Sequence, residues 1–152
     1  MTELKSLVGE VYLAYKPRTS KKVKVGHPSD VYFYAKKLWD DTFGINEKML
    51  ILFLNRAGNI IGYNWHSSGS TSGTLIDRKI IVKMALDLLA ASVIMVHNHP
   101  SGNTEPSDTD LRMTNEVQEA LELMGIRLLD HVIVSHDNYY SLDAENKLIK
   151  TT

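Results

Sequence analysis

The sequence predicts an α/β domain: a mixed β-sheet with helices packed on it. Three observations predict it. The stretches "EKMLILFLN" (Glu47 to Asn55) and "SVIMVHNH" (Ser92 to His99) are apolar on both faces, as strands in the middle of a sheet are. The turn "NRAGN" joins the first of them to "IIGYNWH", a second strand expected to run antiparallel to it. From Ser92 to Ser135 the order is strand, helix, strand, which implies two parallel strands joined by a right-handed crossover.

Each element has a local reason. Residues 1–27 read as an irregular arm, with "EVYLAYK" as a candidate strand and "SKKVKV" as a short basic stretch on a solvated strand edge. Residues 28–152 then read as a single domain. Ser29-Asp30 offers an N-cap for a helix running to about Phe43 and ended by Gly44, with Val31, Tyr34, Leu38 and Trp39 as its apolar side. After the hairpin, "SSGSTSGT" (Ser67 to Thr74) reads as a flexible polar loop. Asp77 caps a helix expected to reach Ala91, with Ile80, Ile81, Met84, Leu88 and Leu89 on its buried side. A helix from Ser107 to Met124 ends at Gly125. "IRLLDHVIVS" follows as a strand, "HDN" as a turn and "YYSL" as a short last strand.

Bulk properties exclude several classes. A chain of 152 residues with 43% hydrophobic and 23% charged residues is long enough for one well-cored globular domain. Its net charge of −1 provides no global basic field for nucleic acid or an anionic membrane. With no cysteine, disulfides and thiolate metal sites are excluded. The N-terminus lacks a charged start followed by an apolar signal core, and runs such as "MLILFL" are too short to span a bilayer. These features point to a cytoplasmic protein with no membrane partner.

The stretch "HNHPSGNTEPSDTD" (His97 to Asp110) carries the chemistry. Side chains at i and i+2 of a strand share a face, so His97 and His99 project together and Asn98 points away. In the following helix Asp110 lines up with Val117, Leu121 and Met124. A carboxylate in line with an apolar stripe faces inward and needs a partner there. Two neutral imidazoles and one carboxylate make a three-ligand site with a fourth position left for water, the arrangement of catalytic rather than structural zinc. A plainer reading stands beside it. Ser107-x-x-Asp110 also spells a helix capping box, Pro100 and Pro106 shape a turn, and two histidines at strand spacing can be ordinary core or surface residues.

His97-x-His99-Pro100, seven residues, then Ser107-x-x-Asp110 resembles the JAMM motif of the JAB/MPN+ metallohydrolases. The longer string, with "GIRLLDHVIVSHDNYYSL" downstream and "LFLNRAGNIIG", "SGT" and the Arg78 region upstream, resembles the RadC branch. The likeness runs from about Glu47 to Leu142. It implies a three-layer α-β-α fold, JAB/MPN-like and distantly cytidine-deaminase-like. It also implies a short form without the N-terminal helix-hairpin-helix module, like the RadC proteins of mobile elements. By the same resemblance His97, His99 and Asp110 are zinc ligands, and Ser107 steadies the bound water or a developing oxyanion. The family's general acid/base glutamate on an upstream strand matches Glu47, eight residues before Asn55; read alone, Glu47 is a solvated residue at a strand start. Glu105 lies nearer but in a turn. The pair Asp130-His131, common in this branch, either backs the site or serves the strand.

The function these readings imply is zinc-dependent hydrolysis of an amide or isopeptide bond in a peptide or protein substrate. The alternative is a DNA-repair or DNA-processing accessory, or a metal-dependent phosphodiesterase, with DNA binding that is weak and sequence-independent. A zinc deaminase requires a P-C-x-x-C element that a chain without cysteine does not have. The letters "HNH" do not make an HNH nuclease, and the Ser/Gly loop lacks the pattern of a phosphate-binding loop. A catalytically dead scaffold is disfavoured by the complete ligand set.

Overall fold

Alternate residues of the central strands enter two different cores, and this division sets the architecture. The computed structural model describes residues 21–70 and 76–150. Among them are β1 (Val23–Lys24), α1 (Pro28–Leu38), β2 (Glu47–Leu54), β3 (Asn59–Ser70), α2 (Arg78–Asp87), β4 (Ser92–Asn98), α3 (Asp108–Glu122), β5 (Arg127–Val134) and β6 (Tyr139–Ser141). On β2, Met49, Ile51 and Phe53 pack with Ile81 and Ala85 of α2 and Val117 and Leu121 of α3. Leu50, Leu52 and Leu54 face the other way, onto Val31, Tyr32 and Ala35 of α1. Burial of each such side chain contributes about 1.5–3 kcal/mol. The result is the expected three layers, one helix on one face and two on the other.

The six-stranded sheet has the order β1-β3-β2-β4-β5-β6. Among the described residues only β4 and β5 are parallel; the other pairs are antiparallel, so the sheet is mixed as expected. Val23 and Lys24, in the basic stretch, pair with Ile60 and Asn59 and form the sheet's exposed edge. The candidate strand "EVYLAYK" lies outside the described residues.

Several boundaries differ from expectation. α1 starts at Pro28 and stops at Leu38, well short of Phe43. Asp30 sits in the first turn, where its carboxylate accepts from the Gly26 and His27 N–H groups. Trp39 leaves the helix in an extended conformation, and Asp40 accepts from both the N–H and the hydroxyl of Thr42, building a turn before Gly44 is reached. β3 extends to Ser70, so it takes in the first half of the expected Ser67–Thr74 loop; 71–75 lie outside the described residues. α2 ends at Asp87 rather than Ala91. Leu89 falls beyond that end with a φ of 49° and is 77% exposed, and Ile80 is 48% exposed. Ile81 and Ala85 are buried, and Met84 and Leu88 pack partly buried against the same core as expected, whereas Ile80 and Leu89 do not belong to it. Met124 also lies past the end of its helix and is exposed.

One irregularity aims the site. In the β4–β5 pair, Val93 opposes Leu128 but Ile94 opposes Asp130. The extra residue, Leu129, is a β-bulge, which flips the alternation of β5. Leu128 faces the α2/α3 core, whereas Val132 and Val134 face α1. His131 therefore points to the α2/α3 side, opposite Met95. Its neighbour Asp130 is structural. Its buried carboxylate accepts from the Ser141 hydroxyl at 2.6 Å and the Asp143 N–H at 3.0 Å, holding β6 and its following turn. Asp130→Ala leaves those donors unpaired and is expected to cost about 1–3 kcal/mol in urea unfolding. An unchanged midpoint would mean that water replaces the carboxylate without loss.

Candidate metal centre

β4 delivers its last side chains to the α2/α3 face at its carboxyl end, where the open sheet leaves room between strand and helix. His97 is buried on that face, and the His99 N–H continues the sheet by donating to the Val134 carbonyl. The chain then turns at Gly102, whose φ of 87° suits a residue without Cβ. The turn brings the Asn103 carbonyl to 2.6 Å from His99 Nδ1. A carbonyl only accepts, so His99 carries its proton on Nδ1 and presents a lone pair on Nε2.

α3 enters from the other side. Ser107 caps it: its Oγ accepts from the Asp110 N–H, and Asp110 Oδ2 accepts from the Ser107 N–H at 2.8 Å. The capping box read from the sequence is therefore present. It does not compete with the metal reading, because it fixes the carboxylate in place. Asp110 Oδ1 lies 3.4 Å from His97 Nε2 and Asp110 Oδ2 lies 3.4 Å from His99 Nε2. The two Nε2 atoms are 2.8 Å apart.

The two 3.4 Å separations and the atom types fit a small divalent cation, whereas the 2.8 Å between the Nε2 atoms is a hydrogen-bond distance that would have to open around an ion. Ligand bonds of about 2.0–2.2 Å at tetrahedral angles put ligand atoms roughly 3.3–3.5 Å from one another. Lone pairs and a carboxylate converging without a positive charge would repel. The protein's own electrostatics register this need. Burial is the largest influence on His99 and opposes its charge, but the Asp110 carboxylate, the Asn103 carbonyl and the charge of Glu47 together outweigh it and raise its pKa. Burial likewise opposes the charge on Asp110, yet the attraction of the two imidazoles in their charged forms, with the Ser107 N–H, holds its carboxyl far below the usual range. A proton or a metal cation answers the same repulsion.

The other expected residues fall around this centre. Ser107 is exposed beside Asp110; its Oγ is an acceptor in the cap, which leaves its own proton free to donate outward. Glu47 opens β2. Met49 opposes His97 across the β2–β4 pair, so alternation sets Glu47 on the same face, and its charge is felt by His99. Asn98, pointing away between the histidines, fixes that strand start. Its amide donates to the Phe43 and Asn46 carbonyls and accepts from the Lys48 N–H, bracketing Glu47. Glu105 is exposed in the turn, as expected.

Two further residues touch the cluster. His131 Nε2 lies 2.6 Å from His97 Nδ1, and His131 Nδ1 lies 2.6 Å from the Thr114 hydroxyl. Full burial holds the His131 imidazole well below its usual pKa. The sequence leaves the role of His131 open and does not mark Thr114. The available signal was its position four residues after Asp110, one helical turn on.

Residues 25–148 match the RadC-like JAB domain. The chain belongs to the RadC family. Among its RadC relatives, the UPF0758 protein lpp2553 of Legionella pneumophila (strain Paris) is 36% identical over 129 residues, covering 85% of this chain and 56% of that protein. A UPF0758 protein of Porphyromonas gingivalis is 41% identical over 103 residues, 68% of this chain and 45% of its own length. The chain thus spans about half the length of the curated RadC relatives it matches. Among the described residues, no helix is long and apolar enough to cross a membrane.

Proposed function

We propose that this RadC-family chain is a zinc-dependent hydrolase of amide or isopeptide bonds. The observation that carries the reading is the convergence of His97 Nε2, His99 Nε2 and the Asp110 carboxylate at the spacing of a three-ligand site. Zinc held there supplies Lewis acidity and brings the pKa of a water toward about 7. The remaining roles fall to the chain's own groups. Glu47, on the same face, accepts a proton as the nucleophile attacks and returns it to the leaving amine. Ser107 donates its hydroxyl proton to the oxygen that gains charge, while its lone pair stays committed to the Asp110 N–H.

The test is a substrate screen with zinc-loaded and chelator-treated protein, offering isopeptide-linked and linear peptides beside single- and double-stranded DNA. Chelator-sensitive peptide cleavage is expected, with DNA binding that disappears at physiological salt, given a net charge of −1. Chelator-sensitive DNA cleavage, or a tight DNA complex surviving that salt, would replace this reading with a DNA-processing one.

A further inference from the structure

The buried pair His131 and Thr114 has a hydrogen-bond logic that allows only one proton arrangement. The Thr114 hydroxyl lies 2.6 Å from the Asp110 main-chain carbonyl, which can only accept, so the single Thr114 proton goes there. Thr114 Oγ1 must then accept from His131, which places the His131 proton on Nδ1. His131 is fully buried and both its ring nitrogens are taken, one by a hydroxyl and one by another imidazole, so it is neutral. Its Nε2 therefore accepts, and His97 must donate from Nδ1. That leaves His97 Nε2 as a bare lone pair facing His99 Nε2 and Asp110. With the opposite tautomer, His97 would put an N–H where a cation must bind.

We propose that Thr114 and His131 form a relay from the Asp110 main chain that locks His97 in the Nδ1–H tautomer and so preorganises its Nε2 as a metal ligand. Asp110 anchors both ends: its carboxylate faces the His97 Nε2 and its carbonyl starts the chain of bonds that sets the His97 tautomer. The β-bulge at Leu129 is part of the device, because it turns His131 toward the site. His131 and Thr114 are thus positioning residues that act through His97. The proposal rests on the zinc reading above for its consequence, but the tautomer itself can be read in protein without metal.

Two measurements test it. In the chelator-treated 152-residue chain at mildly alkaline pH, long-range ¹H–¹⁵N spectra of the histidine side chains should show His97 protonated on Nδ1. Thr114→Val should reduce that population. Zinc affinity, measured by competition with a chromophoric chelator, should fall about 10–100-fold in His131→Leu, the usual cost of losing the partner of a metal-ligating histidine. His131→Gln should recover most of the loss, because its amide still accepts from His97 and donates to Thr114. Wild-type His97 carrying its proton on Nε2 would overturn the relay, as would equal zinc affinities in His131→Leu and wild type. If His131→Leu does not fold, the wild-type and Thr114→Val spectra decide. If the wild type binds no zinc, the function proposed above fails, and the same spectra still decide the relay.

Discussion

Asp110→Asn is expected to fold like the wild type and to lose its zinc. The substitution separates two jobs that one carboxylate performs. The amide oxygen of asparagine can still accept the Ser107 N–H, so the capping box that starts α3 survives. The amide nitrogen then faces a histidine Nε2 as a donor, which satisfies the metal-free cluster while removing both the negative charge and a lone pair. Zinc affinity should fall by more than the ~10–100-fold that follows when only a ligand's hydrogen-bonding partner is lost. Asp110→Ala is a poorer probe, because it also removes the box at a cost of about 0.5–2 kcal/mol. Elemental analysis of purified wild type should find about one zinc per chain. Chelation should lower the wild-type Tm, since a ligand that binds only the folded state stabilises it, and should leave the Asp110→Asn Tm unchanged. Full zinc occupancy in Asp110→Asn and in His99→Ala would show that the ligands lie elsewhere.

The layout of the sheet was legible in the sequence because burial writes itself into the pattern. Strands apolar on both faces, β2 and β4, could only be central, and the strand-helix-strand order required the one parallel pair. His97, His99 and Asp110 were legible for a related reason: strand alternation and a single tight turn fix their relation locally, over fourteen residues. Helix ends were less legible. Leu89 and Met124 continue a helical period on paper, but the helices have already stopped, and the period means nothing beyond their last turn. Gly44 suggested a helix stop, yet the Asp40–Thr42 turn had ended α1 earlier through side-chain hydrogen bonds that composition does not reveal. His131 was illegible for the deepest reason. A bulge adds one residue and reverses which side chains face the core, and nothing in "RLLDHVIV" marks where the extra residue sits. The partners of the site that depend on long-range register were hidden, while those that depend on local spacing were not. Glu47 lies between these cases: its strand was evident, but its place beside His99 follows from the β2–β4 register and from Asn98 holding the backbone on either side of it.

Glu47→Gln is expected to retain zinc and fold while losing hydrolysis. Glutamine keeps the length and polarity of the side chain but cannot take up a proton at neutral pH. Glu47 is outside the set of atoms that converge on the cation, so zinc content should match the wild type. Turnover of a cleavable peptide should fall by roughly 10²–10⁴-fold, the usual contribution of a positioned general base. Ser107→Ala is the matched control, because its effects divide differently. It removes the N-cap oxygen that receives the Asp110 N–H and should lower stability by about 1 kcal/mol. For a chain of this size that is a drop in Tm of about 2–4 °C, which Glu47→Gln should not show. Because the cap also steadies Asp110, Ser107→Ala should weaken zinc binding somewhat as well as turnover, whereas Glu47→Gln should change turnover alone. Near-normal turnover by Glu47→Gln would assign the proton transfer to another residue. Loss of zinc from Glu47→Gln would instead make Glu47 a ligand, and the site would have four protein donors and no position left for a reacting water.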